Sequence, residues 1–116
     1  MNQYQEMKMY LEQRISELKA RSLALSADNR QDESVFAKIE MNVCDAFIAV
    51  LNAAEKTGGG EKFFLDKLTQ IPGSWRAALA NAEAHGDGEK AHIERIKLAA
   101  ADDIRAAFMR LTEGKP

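Results

Sequence analysis

Apolar residues recur along this chain in steps of three, four and seven, the spacing that lines side chains along one side of an α-helix. In the first segment, about 2–25, the stripe runs through Tyr4, Met7, Leu11, Ile15, Leu18 and Leu25, with Ser22 in the same line. Gln5, Glu12, Gln13, Glu17 and Arg21 take the opposite side, and Glu17 precedes Arg21 by one turn in the favourable order. The next stretch, 26–33, is polar throughout and rich in capping residues, so it predicts a short connection between antiparallel helices. It holds neither Gly nor Pro, which leaves one continuous long helix as the alternative.

The second helix is expected over about 32–56. Phe36, Ile39, Val43, Phe47, Val50 and Ala54 form its stripe, and Cys44, Ile48 and Leu51 widen it on one flank. A face that wide touches more than one neighbour, which puts this helix at the centre of the core. Gly58-Gly59-Gly60 ends it, because glycine takes the left-handed conformation without strain. A short helix follows over about 61–70, with Phe63, Phe64, Leu65, Leu68 and Ile71 on its apolar side. Pro72-Gly73 stops it, and Ser74 caps a second short helix over about 75–85 that turns Ala78, Leu79 and Ala82 inward. The run His85-Gly86-Asp87-Gly88 stops and restarts the chain, with Asp87 as cap. The last helix spans about 88–113, with Ile93, Ile96, Ala100, Ile104, Ala107, Phe108 and Leu111 as its stripe and Gly114 as its terminator.

No segment alternates as a strand would. The expected fold is therefore all-α and up-down four-helix-bundle-like, one helical domain over 1–116. Three positions are long helices, each roughly 36–39 Å at 1.5 Å rise per residue. The third position in chain order is two short helices broken at Ile71-Pro72-Gly73. The competing arrangement is an open helical hairpin that completes its core by dimerising. A shift of 57 residues lays Phe36 on Ile93, Ile39 on Ile96, Asp45 on Asp102 and Phe47 on Ile104. A duplicated hairpin would produce this, and so would shared amphipathic periodicity, which is the reading preferred from sequence.

Composition narrows the class. With 116 residues, 46% hydrophobic and 29% charged, the chain can bury roughly two-thirds of its unfolded surface in one core. Eighteen acidic and 16 basic residues give a net charge of −2, and basic residues never run beyond two in a row, so nucleic acid is not an expected partner. No apolar run approaches the roughly 20 residues of a membrane span. The start, MNQYQEMKMY, lacks the basic and apolar regions of a secretory leader, and a cytoplasmic location is expected. The single cysteine, Cys44, can form no internal disulfide, and its apolar neighbours and adjacent Asp45 mark it as a buried small hydrophobe.

The residues that break the pattern carry the candidate chemistry. Glu40 projects among Phe36, Val43, Cys44 and Phe47; Lys97 falls at the matching angle among Ile93, Ala100 and Ile104; Lys8 sits at its stripe's edge. Charges so placed pair, snorkel or neutralise. The plain reading is an ion pair between helices; the functional one is a polar pocket where Glu40 and Lys97 hold a small polar ligand. Glu89-Lys90-Ala91-His92 puts a carboxylate and an imidazole one turn apart, half of a di-iron bundle motif. His85 has Ala82 three residues before it, so the second half is missing. Glu89 also suits a helix start, and a metal at Glu89 and His92, with His85, is the alternative to a surface histidine. Gly86-Asp87-Gly88 fits neither a phosphate loop nor a calcium loop and reads as a turn.

Trp75, the only tryptophan, either anchors the elbow in the core or lines a groove for a partner. Met9 and Met109 fall away from their stripes and are candidate exposed contacts. No nucleophile–base arrangement can be drawn, and no cofactor is implied. The expectation is a small non-enzymatic helical module that binds protein, forming a homodimer. The alternative is a small-ligand-binding or metal-binding bundle with a polar site in its core.

Overall fold

A computed structural model of the chain describes residues 2–113. The expected terminator Gly114 lies outside them. The chain forms four helices, α1 (Gln3–Ala27), α2 (Gln31–Thr57), α3 (Gly60–Ala84) and α4 (Gly88–Thr112), packed as an all-α bundle, and no strand occurs among the described residues. Their ends follow from local chemistry. Asn2 caps α1 through a reciprocal box: its side chain accepts from Gln5 N at 2.9 Å, and the Gln5 side chain accepts from Asn2 N at 3.0 Å. Asp87 caps α4 by accepting from Lys90 N at 3.1 Å.

The α1–α2 and α3–α4 turns are the same device. Asn29 at φ 60° and Gly86 at φ 70° supply the left-handed residue. In the first, Arg30 N donates to Leu25 O at 2.8 Å and Asn29 N to Ser26 O at 3.1 Å; in the second, Asp87 N donates to Ala82 O at 2.9 Å and Gly86 N to Glu83 O at 3.2 Å. Both are Schellman closures, which satisfy helix-end carbonyls and turn the chain sharply. The first leaves only Asp28-Asn29-Arg30 outside helix, tighter than the polar stretch suggested, and rules out the continuous helix.

The expected break at Ile71-Pro72-Gly73 does not form: α3 runs unbroken through Pro72. Proline removes one backbone donor and crowds the preceding turn, at about 3 kcal/mol. Packing on both sides outweighs that. Phe64 and Leu68 before Pro72 and Ala82 after it are buried on one side of α3, and Pro72 itself is fully buried. Ser74 Oγ donates to Ile71 O at 3.0 Å and Thr69 Oγ1 to Leu65 O at 3.2 Å, so hydroxyls flank the irregular turn.

The pairing is antiparallel within each hairpin. Lys8 pairs with Glu55 and Ser22 with Ser34 across α1–α2; Phe64 meets Phe108, and Glu83 meets Arg95, across α3–α4. Helices α2 and α4 touch along a diagonal, with the Phe36 ring edge-on to His92 at 4.6 Å near both helix starts. The backbones of α1 and α3 nowhere come within 8 Å, Cα to Cα. The bundle is consequently flattened, 46 × 34 × 24 Å.

Its core is complete within one chain, so the open hairpin is not needed to bury these stripes. Phe47, Phe64 and Phe108 meet at the end holding the α2–α3 connection, with centroids 6.1 and 4.6 Å apart, packed with Met7, Leu11, Leu51 and Leu68. Toward the opposite end large side chains give way to Ala37, Ala82 and Ala91 and to buried polar groups. Ser22 Oγ donates to Ser34 O at 3.2 Å and Ser34 Oγ to Ser22 O at 2.9 Å, which satisfies both hydroxyls and locks α1 to α2.

The 57-residue offset is structural. It carries Gln3–Ala27 onto Gly60–Ala84 and the start of α2 onto the start of α4. It also pairs buried positions: Met7 with Phe64, Leu11 with Leu68, Cys44 with Ala101, Phe47 with Ile104 and Leu51 with Phe108. The two hairpins are thus built alike, with the same helix register and matching buried positions.

Candidate functional site

The two charges singled out on the apolar stripes are not partners of each other. Glu40 is held by Arg14 of α1, whose Nε and Nη2 donate to Glu40 Oε2 at 3.0 and 2.7 Å. Burial works against the Arg14 cation, but the hydrogen bonds and charges of Glu40 and Glu17 outweigh it and hold its pKa above the ordinary arginine value. Lys8, at the edge of its stripe, pairs across to Glu55 of α2. Lys97 instead donates to Glu94 Oε1 of its own helix at 3.2 Å.

Glu94 is the residue that sequence reasoning missed. Its side chain is only 7% exposed, and its second oxygen, Oε2, is buried with no hydrogen-bond partner. The apolar stripe through Ile93, Ile96 and Ala100 leaves it to one side. The helix is rotated so that Ala91, Glu94, Ala101 and Phe108 also face inward. The signal was present in the heptad spacing of Ala91, Glu94, Ala101 and Phe108, which the small alanines disguised. Arg14 was missed too, although it lies one turn from both Leu11 and Leu18.

Lys97 also lines a cleft of about 200 Å³ between α2, α3 and α4, together with Ile39, Asn42, Val43, Ala46 and Trp75. Trp75 is half-buried, and the Lys97 ammonium stands 5.9 Å from its ring centroid, at the outer limit for a cation–π contact. The unbroken α3 sets this position, because Trp75 continues the line of Phe64 and Leu68. There is no elbow, and Trp75 forms one wall of this cleft.

The 57-residue offset gives the cleft a counterpart of about 150 Å³, whose lining includes Leu18, Phe36, Ala37, Glu40 and Ile96. Leu18 stands at the register place of Trp75, Glu40 at that of Lys97 and Ile96 at that of Ile39. Ala37 stands at that of Glu94. Arg14, which neutralises Glu40, corresponds to Ile71.

Glu89 and His92 are both exposed, and His92 leans on Phe36. His85 Nδ1 lies 2.8 Å from Asn81 O at the end of α3. Among the described residues no three of His, Cys, Asp and Glu gather closely enough to hold a metal ion. Met9 and Met109 are exposed, at 54% and 43%, and Leu23 and Val35, to which sequence assigned no role, are exposed as well. Cys44 is buried, and desolvation, with Glu40 adding, pushes its pKa up to about 11, the reverse of what a reactive thiolate needs. Among the described residues no helix is long and apolar enough to cross a membrane. No protein-family model matches the sequence, and no solved structure matches it.

Proposed function

We propose that this chain is a non-enzymatic binding bundle whose working surface is the α2–α3–α4 cleft, where Lys97, held by the buried Glu94, serves a small polar ligand. One observation carries the reading: Glu94 is a carboxylate nine-tenths buried with one oxygen unpartnered, at a place where the sister hairpin uses Ala37. Burying a charge costs stability, and an apolar residue would pack this place at least as well. A charge kept there points to binding. The cleft offers one cation, an amide and an aromatic wall, without a nucleophile set against a base, which supports binding rather than catalysis. The near-balanced charge favours a small-molecule or protein ligand over nucleic acid, and a lone buried thiol suits a reducing compartment, the cytoplasm first.

Native mass spectrometry of untagged protein prepared without chelator tests this. A retained mass on the wild type that Glu94→Gln and Lys97→Met both lose supports the proposal; wild type at the bare chain mass counts against it. The same spectrum reads a second role favoured by a separate observation. Met9, Leu23, Val35 and Met109 are exposed apolar side chains on a bundle that already has its core, and through them a protein partner, a second copy of the chain first, would dock. A dimer that Met9→Gln and Met109→Gln dissolve is the expected result for that role, and a monomer at micromolar concentration removes it.

A further inference from the structure

We infer that the α2–α3–α4 cleft takes a small monocarboxylate with a flat apolar body, its carboxylate on Lys97 and its body against Trp75. This rests on the binding reading above and assigns the ligand's chemistry. The comparison of the two clefts carries it. Around Glu40 the charge is spent across the helix pair, because two Arg14 donors fasten to a single carboxylate oxygen. Around Lys97 the Arg14 place is Ile71, and among the described residues no carboxylate of another helix pairs with the ammonium. Lys97 has three N–H donors, and its one hydrogen bond goes to Glu94 at 3.2 Å. Its side chain remains 28% exposed, so donors are left facing the cleft.

Glu94 explains why the ammonium stays there rather than swinging into water. Buried behind Lys97, it pins that cation beside the Trp75 ring, a preorganised donor beside a flat apolar wall. What such a wall and donor recognise together is an anion attached to something flat. Size agrees: an apolar cavity of about 150 Å³ holds a benzene ring, and this cleft of about 200 Å³ has room for a ring and one carboxylate. Ile39, Val43 and Ala46 line the cleft with Trp75 and give the body its apolar bed, and Asn42 puts an amide in the same lining.

Trp75 is the only tryptophan, so its emission reports this cleft alone. The test is a fluorescence titration of the full chain with benzoate and with benzamide, the uncharged analogue of the same shape. The expected result is a saturable change in Trp75 emission with benzoate and at least tenfold weaker binding of benzamide. Lys97→Met brings benzoate down to the benzamide level, and Lys97→Arg, which keeps the charge over Glu94, restores at least part of the preference. Equal binding of both probes overturns the carboxylate assignment and leaves a binding cleft. No saturable response to either at about 10 mM, ten times a weak millimolar constant, overturns the assignment as well. In that case a retained mass in the native spectrum separates the two failures: it keeps the binding module and discards the flat carboxylate.

Discussion

In α1–α2 and again in α3–α4 the chain builds two antiparallel helices closed by a turn around one left-handed residue, and the buried positions fall in step. The hairpins part company in what they do with charge. The first gathers its charges into cross-helix pairs, Lys8 with Glu55 and Arg14 with Glu40, and closes its polar end with two serines bonded to each other's carbonyls. The second keeps one exposed cross-helix pair, Glu83 with Arg95, and has Leu65, Ile71 and Leu79 at the places of Lys8, Arg14 and Ser22, yet buries Glu94 where the first has Ala37. Where a shared scaffold is otherwise matched, a costly residue on one side alone marks the place where packing is not the governing demand.

The comparison breaks first at the aromatic end. Met7 and Phe64 occupy one register place, but Phe64 also meets Phe47 and Phe108. Phe64→Ala is expected to cost about 4 kcal/mol and Met7→Ala about 2.5 kcal/mol, read from urea unfolding midpoints. Equal costs would mean that the rings add nothing beyond their area.

The two charged places come next. Lys97→Met strands a buried carboxylate and is expected to cost about 2–3 kcal/mol. Arg14→Met strands Glu40, whose side chain is 22% exposed and keeps water, at about 1 kcal/mol. Thermal or urea denaturation of the two variants side by side tests the order.

Cys44 and Ala101 share a register place, and only Cys44 titrates. Its pKa is raised to about 11 in the folded chain, so folding favours the neutral thiol. The stability this gives is fully present below the unfolded thiol's pKa near 9 and is lost as pH rises through about 11. Wild type is therefore expected to lose up to about 2 kcal/mol relative to Cys44→Ala between those limits, with no divergence near neutrality. Parallel stability curves across that range would contradict the burial argument.

The smallest effect lies in the turns. Asn29→Gly is expected to stabilise by about 0.5 kcal/mol and Gly86→Asn to destabilise by a similar amount, since both places need positive φ and glycine takes it without strain. Thermal unfolding midpoints read both.

Much of the fold was legible in the sequence because large apolar residues and caps carry their own periodicity. The stripes of α1 and α2, the cap at Asp87 and the stop at Gly58 are local signals, and the structure keeps them. Pro72 misled because its cost is local while its compensation, burial on both sides along α3, is tertiary. The site was half legible. Lys97 and Glu40 stood out as charges among apolar neighbours, but their partners did not. Arg14 pairs across helices, which a one-dimensional pattern cannot show. Glu94 hid between alanines, because a face of Ala91 and Ala101 looks no more buried in sequence than a solvent face of the same helix.

If Glu94 and Lys97 are kept for binding rather than for stability, removing both charges should not weaken the fold. Urea unfolding of the double variant Glu94→Leu, Lys97→Leu tests it most directly, because both charges leave together and neither is stranded. The expected midpoint is equal to or above that of the wild type. An unfolding free energy lowered by more than about 1 kcal/mol would make the pair a structural element of the bundle and contradict that reading.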